Sequence, residues 1–400
     1  MTDDRALAPA DRALAPAVPP VAPVPTSPPV PDDERLARVL LSRIAEPDDT
    51  ELGALVSTSG AAAVVEQLRA GTLPHKGLAH LQARLAVARP EHDLMVGERL
   101  GARFVVPGDP EWPLQLADLV RLPPKDGGIA LGLWVRGPVE LGAVCRRSVS
   151  VVGARASTAY GEYVASELGI GLAERDWTVV SGAAYGIDGC AHRGALAGRG
   201  VTIAVLACGV DVAYPRGHTA LIERIAETGL VVSEWPPGCA PMRYRFLVRN
   251  RVIAALTSGT VVVEASARSG ALSTMNRARE LGRYVMAVPG PVTSVMSAGP
   301  NALLREPDVA CVTGVADVVD LIGSIGADMA PAPSRTVDPR DELDAVSRRV
   351  LESVPLRRPA GPASIAVTAG VDPRQVLRSL GGLAARGFVE RVATGWRIRH

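Results

Sequence analysis

The sequence predicts an α/β protein: a mostly parallel sheet with flanking helices, a small helical domain before it and a winged helix after it. Three observations lead there. Between Ser148 and Val288, short β-branched runs alternate with helical patterns, at Val151-Val152, Val179-Val180, Val205-Leu206, Val231-Val232, Val261-Val262-Val263 and Val285-Met286-Ala287-Val288. Runs of this kind, separated by helices, read as parallel strands buried on both faces. The preceding stretch shows only helical periodicity, and beyond residue 340 three helical patterns lead into a hairpin pattern. Ligands of parallel sheets bind at the carboxyl ends of the strands, so the loops that follow each run are where function is sought.

The composition narrows the classes. With 400 residues, 47% of them hydrophobic, the chain can bury two or three cores. The formal charge is +1, so any surface for a polyanion has to be local. Lys76 and Lys125 are the only lysines among 43 basic residues, which fits a GC-rich genome and makes arginine the available phosphate fork. The five cysteines form no CxxC pair, which argues against a zinc site or a disulfide framework and for a reducing compartment. Neither a secretory leader pattern nor an apolar stretch of about 18 residues is present, so a cytoplasmic protein without membrane association is expected.

In chain order, residues 1–33 are an Ala/Pro-rich tail in which Asp-Arg-Ala-Leu-Ala-Pro-Ala occurs twice, a composition that builds no core and predicts disorder. A helical domain follows over 34–100. Leu36, Val39, Leu40 and Ile44 mark its first helix, Pro47 stops it, and three more patterns run to Ala88. Four short helices with Gly and Pro corners suggest a SAM-like or helix-hairpin-helix module, or a packing domain. Phe104-Val105-Val106 and Leu133-Trp134-Val135 lead as strands into the main domain, taken as 101–325.

The first exit, Gly153-Ala154-Arg155, precedes a helix over about 162–174 and matches neither the dinucleotide nor the Walker A glycine pattern. Its small residues still admit a phosphate at a helix N-terminus, with Arg155 as a bidentate grip. The second exit, Ser181-Gly182-Ala183-Ala184-Tyr185-Gly186, is richer, and its consecutive N–H groups suit an anion nest. Asp188 is placed as an N-cap, and His192 one turn on makes an Asp-His acid/base pair conceivable. The third exit reaches Tyr214-Pro215-Arg216, with Pro215 suited to a first helical turn. After the fourth strand, Arg243, Arg245, Arg249 and Arg251 gather without an acid, as a solvated basic face or a phosphate contact. Tyr160, Tyr185, Tyr214 and Tyr244 stand in these loops or at helix starts rather than at core positions. Arginine beside exposed tyrosine is the chemistry of single-strand binding, in which charges follow the backbone and rings stack on bases.

A linker over 326–340 precedes the last domain, 341–400, where three helices and a hairpin have the order of a winged helix-turn-helix. Ten arginines against six acids there give a local charge of +4, compatible with DNA contact or with protein docking.

The ordered set Gly153-Ala154-Arg155, Ser181-Gly182, Gly186-Ile187-Asp188, Ala191-His192, Tyr214-Pro215, Ser233-Glu234, Arg249-Asn250-Arg251, Glu264, Ser269-Gly270 and Val288-Pro289-Gly290 resembles the DprA/Smf DNA-processing family over residues of about 100–322. The resemblance implies a Rossmann-like domain that binds single-stranded DNA and loads the RecA recombinase on it during natural transformation or recombination, as a homodimer. It also implies that Arg155, the Ser181–Asp188 loop and Arg216 line a basic pocket. The chain departs from the family at Tyr185, where lysine is common, and at His218, where asparagine is usual. Arg155, Ser181, Gly182, Tyr185, Gly186, Asp188, His192, Tyr214, Arg216, Arg245, Arg249 and Arg251 make the expected nucleic-acid site; no catalytic residue, metal or cofactor is assigned. The rival reading is a nucleotide hydrolase, because Gly259-Thr260 and Glu264 partly echo a phosphoribohydrolase loop. A third is a scaffold whose sheet loops only dimerise.

Overall fold

The computed structural model describes residues 30–324, 328, 340 and 342–399. The proposed tail up to residue 29, and the proposed linker apart from residues 328 and 340, lie outside them. The chain divides at residue 330 into two compact units.

The first unit opens with α1 (Asp32–Ile44), α2 (Thr50–Ser59), α3 (Ala61–Ala70), α4 (Leu78–Leu85) and α5 (Pro90–Arg99). This corrects the sequence reading twice. Helix α1 takes in Asp32 and Asp33, assigned to the tail, since carboxylates in a first turn complement the helix dipole. The fifth helix was missed, although Pro90 at its first turn is a start signal. Leu40, Leu41, Ile44, Leu52, Val64 and Leu68 form the core of this head, closed by Ile129 and Leu131.

Two strands, β1 (Ala102–Val105) and β2 (Leu133–Arg136), and the short α6 (Leu141–Cys145) connect the head to an alternating series. It runs β3 (Ser148–Val152), α7 (Ala159–Ala173), β4 (Thr178–Ser181), α8 (Ile187–Ala197), β5 (Thr202–Val205), α9 (Thr219–Thr228) and β6 (Leu230–Ser233). The second half is α10 (Arg245–Ala255), β7 (Gly259–Val262), α11 (Gly270–Glu280), β8 (Tyr284–Ala287), α12 (Ala298–Leu303), β9 (Val309–Cys311) and α13 (Val315–Ile322). All nine strands form one sheet in the order β1-β2-β6-β5-β4-β3-β7-β8-β9. Pairing from β6 to β9 is parallel, and β2 pairs antiparallel with both β1 and β6.

Successive strand residues face opposite sides, so both faces are apolar. Val180, Val205, Val232 and Val262 pack under α10 and α11, and Val149, Val151, Val179 and Val261 under α7, α8 and α13. The chain steps from β3 outward to β6, then returns to place β7 on the other side of β3. This reversal leaves a crevice at the carboxyl ends of β3 and β7, where open α/β sheets bind ligands. Helix α10 makes the return, which brings it over the crevice.

The second unit has α14 (Ala345–Glu352), α15 (Pro362–Ala369) and α16 (Pro373–Ala385), then an antiparallel hairpin of β10 (Val389–Val392) and β11 (Gly395–Ile398). Val350, Ile365, Val376, Leu380, Leu383 and Val389 form its own core. Among the described residues, no helix is long and apolar enough to cross a membrane.

Candidate nucleic-acid interface

The first exit loop is fixed by Glu264 at the end of β7. Its backbone carbonyl accepts from Ala154 N at 2.6 Å, and its carboxylate accepts from Thr158 N at 2.9 Å and Thr158 Oγ1 at 2.6 Å. Thr158 in turn caps α7 through Gly161 N. Glu264 is 1% exposed, so the acid on which the hydrolase reading depends is buried and holds a helix start.

The second exit loop is folded around Asp188. This residue is not the N-cap the sequence suggested: Gly186, at φ 73°, precedes α8, and Asp188 turns back into the loop. Its Oδ2 accepts from Gly182 N at 3.2 Å. Burial pushes the Asp188 carboxyl up, opposed by the Arg249 guanidinium and by the backbone N–H groups of Ala184, Gly182 and Gly153. The nest foreseen for a phosphate is therefore filled by the chain's own carboxylate. Ser181 donates to Val151 O at 2.7 Å, and the Arg249 guanidinium donates to the carbonyls of Gly182 and Val205. Any Cβ at Gly182 would overlap that guanidinium, and one at Gly186 would overlap Ala154 O.

His192 does not meet Asp188. Its Nδ1 lies 2.7 Å from Thr202 Oγ1 beneath the sheet, and burial brings its pKa down to about 3, so it is neutral and unavailable as an acid. The Asp-His pair is corrected on this ground.

Arg245 and Arg251 are also corrected, because the head covers their side of α10. Arg245 pairs with Glu46 at 2.6 Å, and Glu46 also takes the indole N–H of Trp235. Arg251, wholly buried, pairs with Glu234 at 2.8 Å and donates to Pro47 O. Arg249 is buried between two strand ends, where desolvation lowers its pKa to about 10 and leaves it cationic at neutral pH. Arg245 and Arg251 do not reach solvent as a phosphate contact would require, whereas Arg249, 4% exposed, lines the cleft over the crevice. Arg245 and Arg251 join the head to the sheet.

What remains outward is a different set. A cleft of about 400 Å³ lies over the crevice, lined by Arg155, Arg243, Phe246, Leu247, Asn250 and Ser266, among others. Arg155, Arg216, Arg243 and Arg268 are exposed on the surrounding loops, and among the described residues none has an acidic partner. Arg155 stacks over Phe246 at 4.9 Å, and Tyr214 meets the same ring at 5.3 Å. Tyr185, Tyr214, Tyr244 and Leu247 are also exposed. Tyr160 donates its hydroxyl to Pro289 O. Sequence reasoning gave no site role to Arg268, Phe246, Asn250 or His218, and set Arg243 among the other arginines of its segment. The missed signal is spacing: residues 243, 246, 247 and 250 share one side, whereas 245 and 249 share another.

A parallel sheet with a cation-rimmed cleft at its switch point, exposed rings beside it, has the features of a site for an extended anion. The family model for DNA recombination-mediator protein A matches residues 103–323. A relative in Mycobacterium tuberculosis (strain ATCC 25618 / H37Rv), named for DprA, is 46% identical over 374 residues, covering 92% of this chain and 95% of its own. DNA processing protein DprA of Streptococcus pneumoniae (strain ATCC BAA-255 / R6) is 44% identical over 158 residues, 40% of this chain and 56% of its own. The X-ray structure of DNA processing protein A (DprA) from Streptococcus pneumoniae aligns with a TM-score of 0.60 at 29% identity, covering 73% of this chain and 98% of that one. The chain belongs to the DNA recombination-mediator protein A family. That family is one of mediators, and it lends the nucleotide-hydrolase alternative no support.

Proposed function

We propose that this protein binds single-stranded DNA across the carboxyl-end cleft and delivers it to a RecA-type recombinase, acting as a cytoplasmic homodimer. The observation that carries the reading is the separation of the arginines. Arg245 and Arg251, paired with Glu46 and Glu234, lie inward, and Arg155, Arg216, Arg243 and Arg268 remain exposed without a carboxylate partner among the described residues, interleaved with Tyr185, Tyr214 and Tyr244. Unpaired cations follow a phosphate backbone, and exposed rings take unpaired bases. Duplex DNA hides its base faces and offers the rings nothing.

The second unit is read as a winged helix. In support, Gly370 to Asp372 make a short turn between α15 and α16, and α16 presents Arg374 and Arg378 to solvent. The head is read as a SAM-like or helix-hairpin-helix module.

Fluorescence anisotropy with oligo(dT) and a duplex of equal length, at two salt concentrations, tests the reading. The single strand is expected to bind more tightly and to lose affinity with salt. Arg155→Ala and Arg216→Ala should each weaken binding about 3- to 30-fold and leave the thermal unfolding midpoint in place. Equal affinity for single strand and duplex would refute it.

A further inference from the structure

We infer that His218 is a positioning residue that holds Tyr185 as a fixed aromatic platform for one unpaired nucleobase, so that the β4 exit loop recognises a base rather than a phosphate. The inference rests on the single-stranded DNA reading above and says how one part of that site discriminates.

Between Ser181 and Gly186, Tyr185 is the only exposed residue, with 47% of its surface open. The rest of the loop is turned inward around Asp188, whose carboxylate uses the N–H groups a phosphate would need. What the loop offers a ligand is therefore a ring face.

That ring is braced. The Tyr185 and His218 rings meet edge to face, with centroids 4.8 Å apart and planes at 70°, a favoured aromatic geometry. The phenol oxygen lies against Gly217, where a Cβ would come within 2.5 Å of it. His218 itself is 7% exposed, and its ring packs on Gly189, leaving 2.6 Å between Cε1 and any Cβ there. Its Nδ1 is 3.0 Å from the Ala183 carbonyl oxygen. A carbonyl only accepts, so Nδ1 carries the proton. Ala183 is held at φ 53°, a conformation costly for any residue with a Cβ. One imidazole thus fixes the loop backbone through its Nδ1–H and the tyrosine ring through its edge. A platform already in place loses little conformational freedom when a base stacks on it.

The test titrates the full chain by fluorescence anisotropy with oligo(dT) and with an abasic oligomer of the same length, which keeps the phosphates and lacks the bases. Tyr185→Ala should weaken oligo(dT) about tenfold and leave the abasic probe within about twofold. Tyr185→Phe should bind both as the unsubstituted protein does. His218→Ala should lose affinity for oligo(dT) only, and the double variant should be no weaker than Tyr185→Ala alone. If His218→Ala does not fold, His218→Gln, which can still donate to Ala183 and lacks the ring edge, takes its place. Equal losses on the two probes, or additive losses in the double variant, overturn the inference and leave DNA binding standing. Failure of the unsubstituted protein to bind either probe overturns both.

Discussion

His192 lies beneath the sheet on α8, where burial, and then the proximity of His218, bring its pKa from 6.5 to about 3. The folded chain refuses a proton that the unfolded chain accepts near 6.5. The stability this contributes is complete above that value and is lost as the pH falls from there toward 3. At about pH 5 the loss amounts to roughly 2 kcal/mol. Urea unfolding of the first unit at pH 7 and pH 5 should therefore show a drop that His192→Gln reduces by about that amount. An unchanged drop in the variant would remove His192 as its source. Asp188 and Glu264 teach the same lesson about single residues. Each is a carboxylate at a strand end, where chemistry is sought, and each holds backbone N–H groups of this chain.

Helix α10 carries three arginines inward, against the usual partition of charge. Arg251 and Glu234 are both buried, and Arg251 Nε, Arg251 Nη1 and Glu234 Oε2 have no hydrogen-bond partner among the described residues. Removing one member of such a pair leaves an uncompensated charge, so Arg251→Ala should cost about 3–5 kcal/mol in urea unfolding. Replacing both, as Arg251→Met with Glu234→Leu, should restore more than half of that loss; a double variant no more stable than the single one would contradict this account. The strands were legible because β-branched runs and small-residue exits are local signals. The direction of the α10 arginines was not, because Glu46 and Pro47, which receive Arg245 and Arg251, come from the head some 200 positions earlier. Arg155 and Arg216, which the reading placed at strand exits, are exposed. Alternation along β3 and β7 fixed which valines face which helices.

Across the whole molecule, two units with separate cores imply two unfolding events. Calorimetry should resolve a small transition of roughly 60 residues, worth about 40 kcal/mol in enthalpy, beside a larger one for the first unit. A single transition with equal calorimetric and van't Hoff enthalpies would mean that the units unfold together. Arg155, Arg216, Arg243 and Arg268 stand exposed on loops at one end of the sheet, a local basic face that the net charge of +1 conceals. The carboxylate of Asp188 gives that face a permanent resident. Orthophosphate or a lone nucleotide arriving at the second loop meets N–H groups already engaged by Asp188. On the proposed single-strand reading, retention depends on how many arginines a ligand touches at once, and polymer length does the sorting.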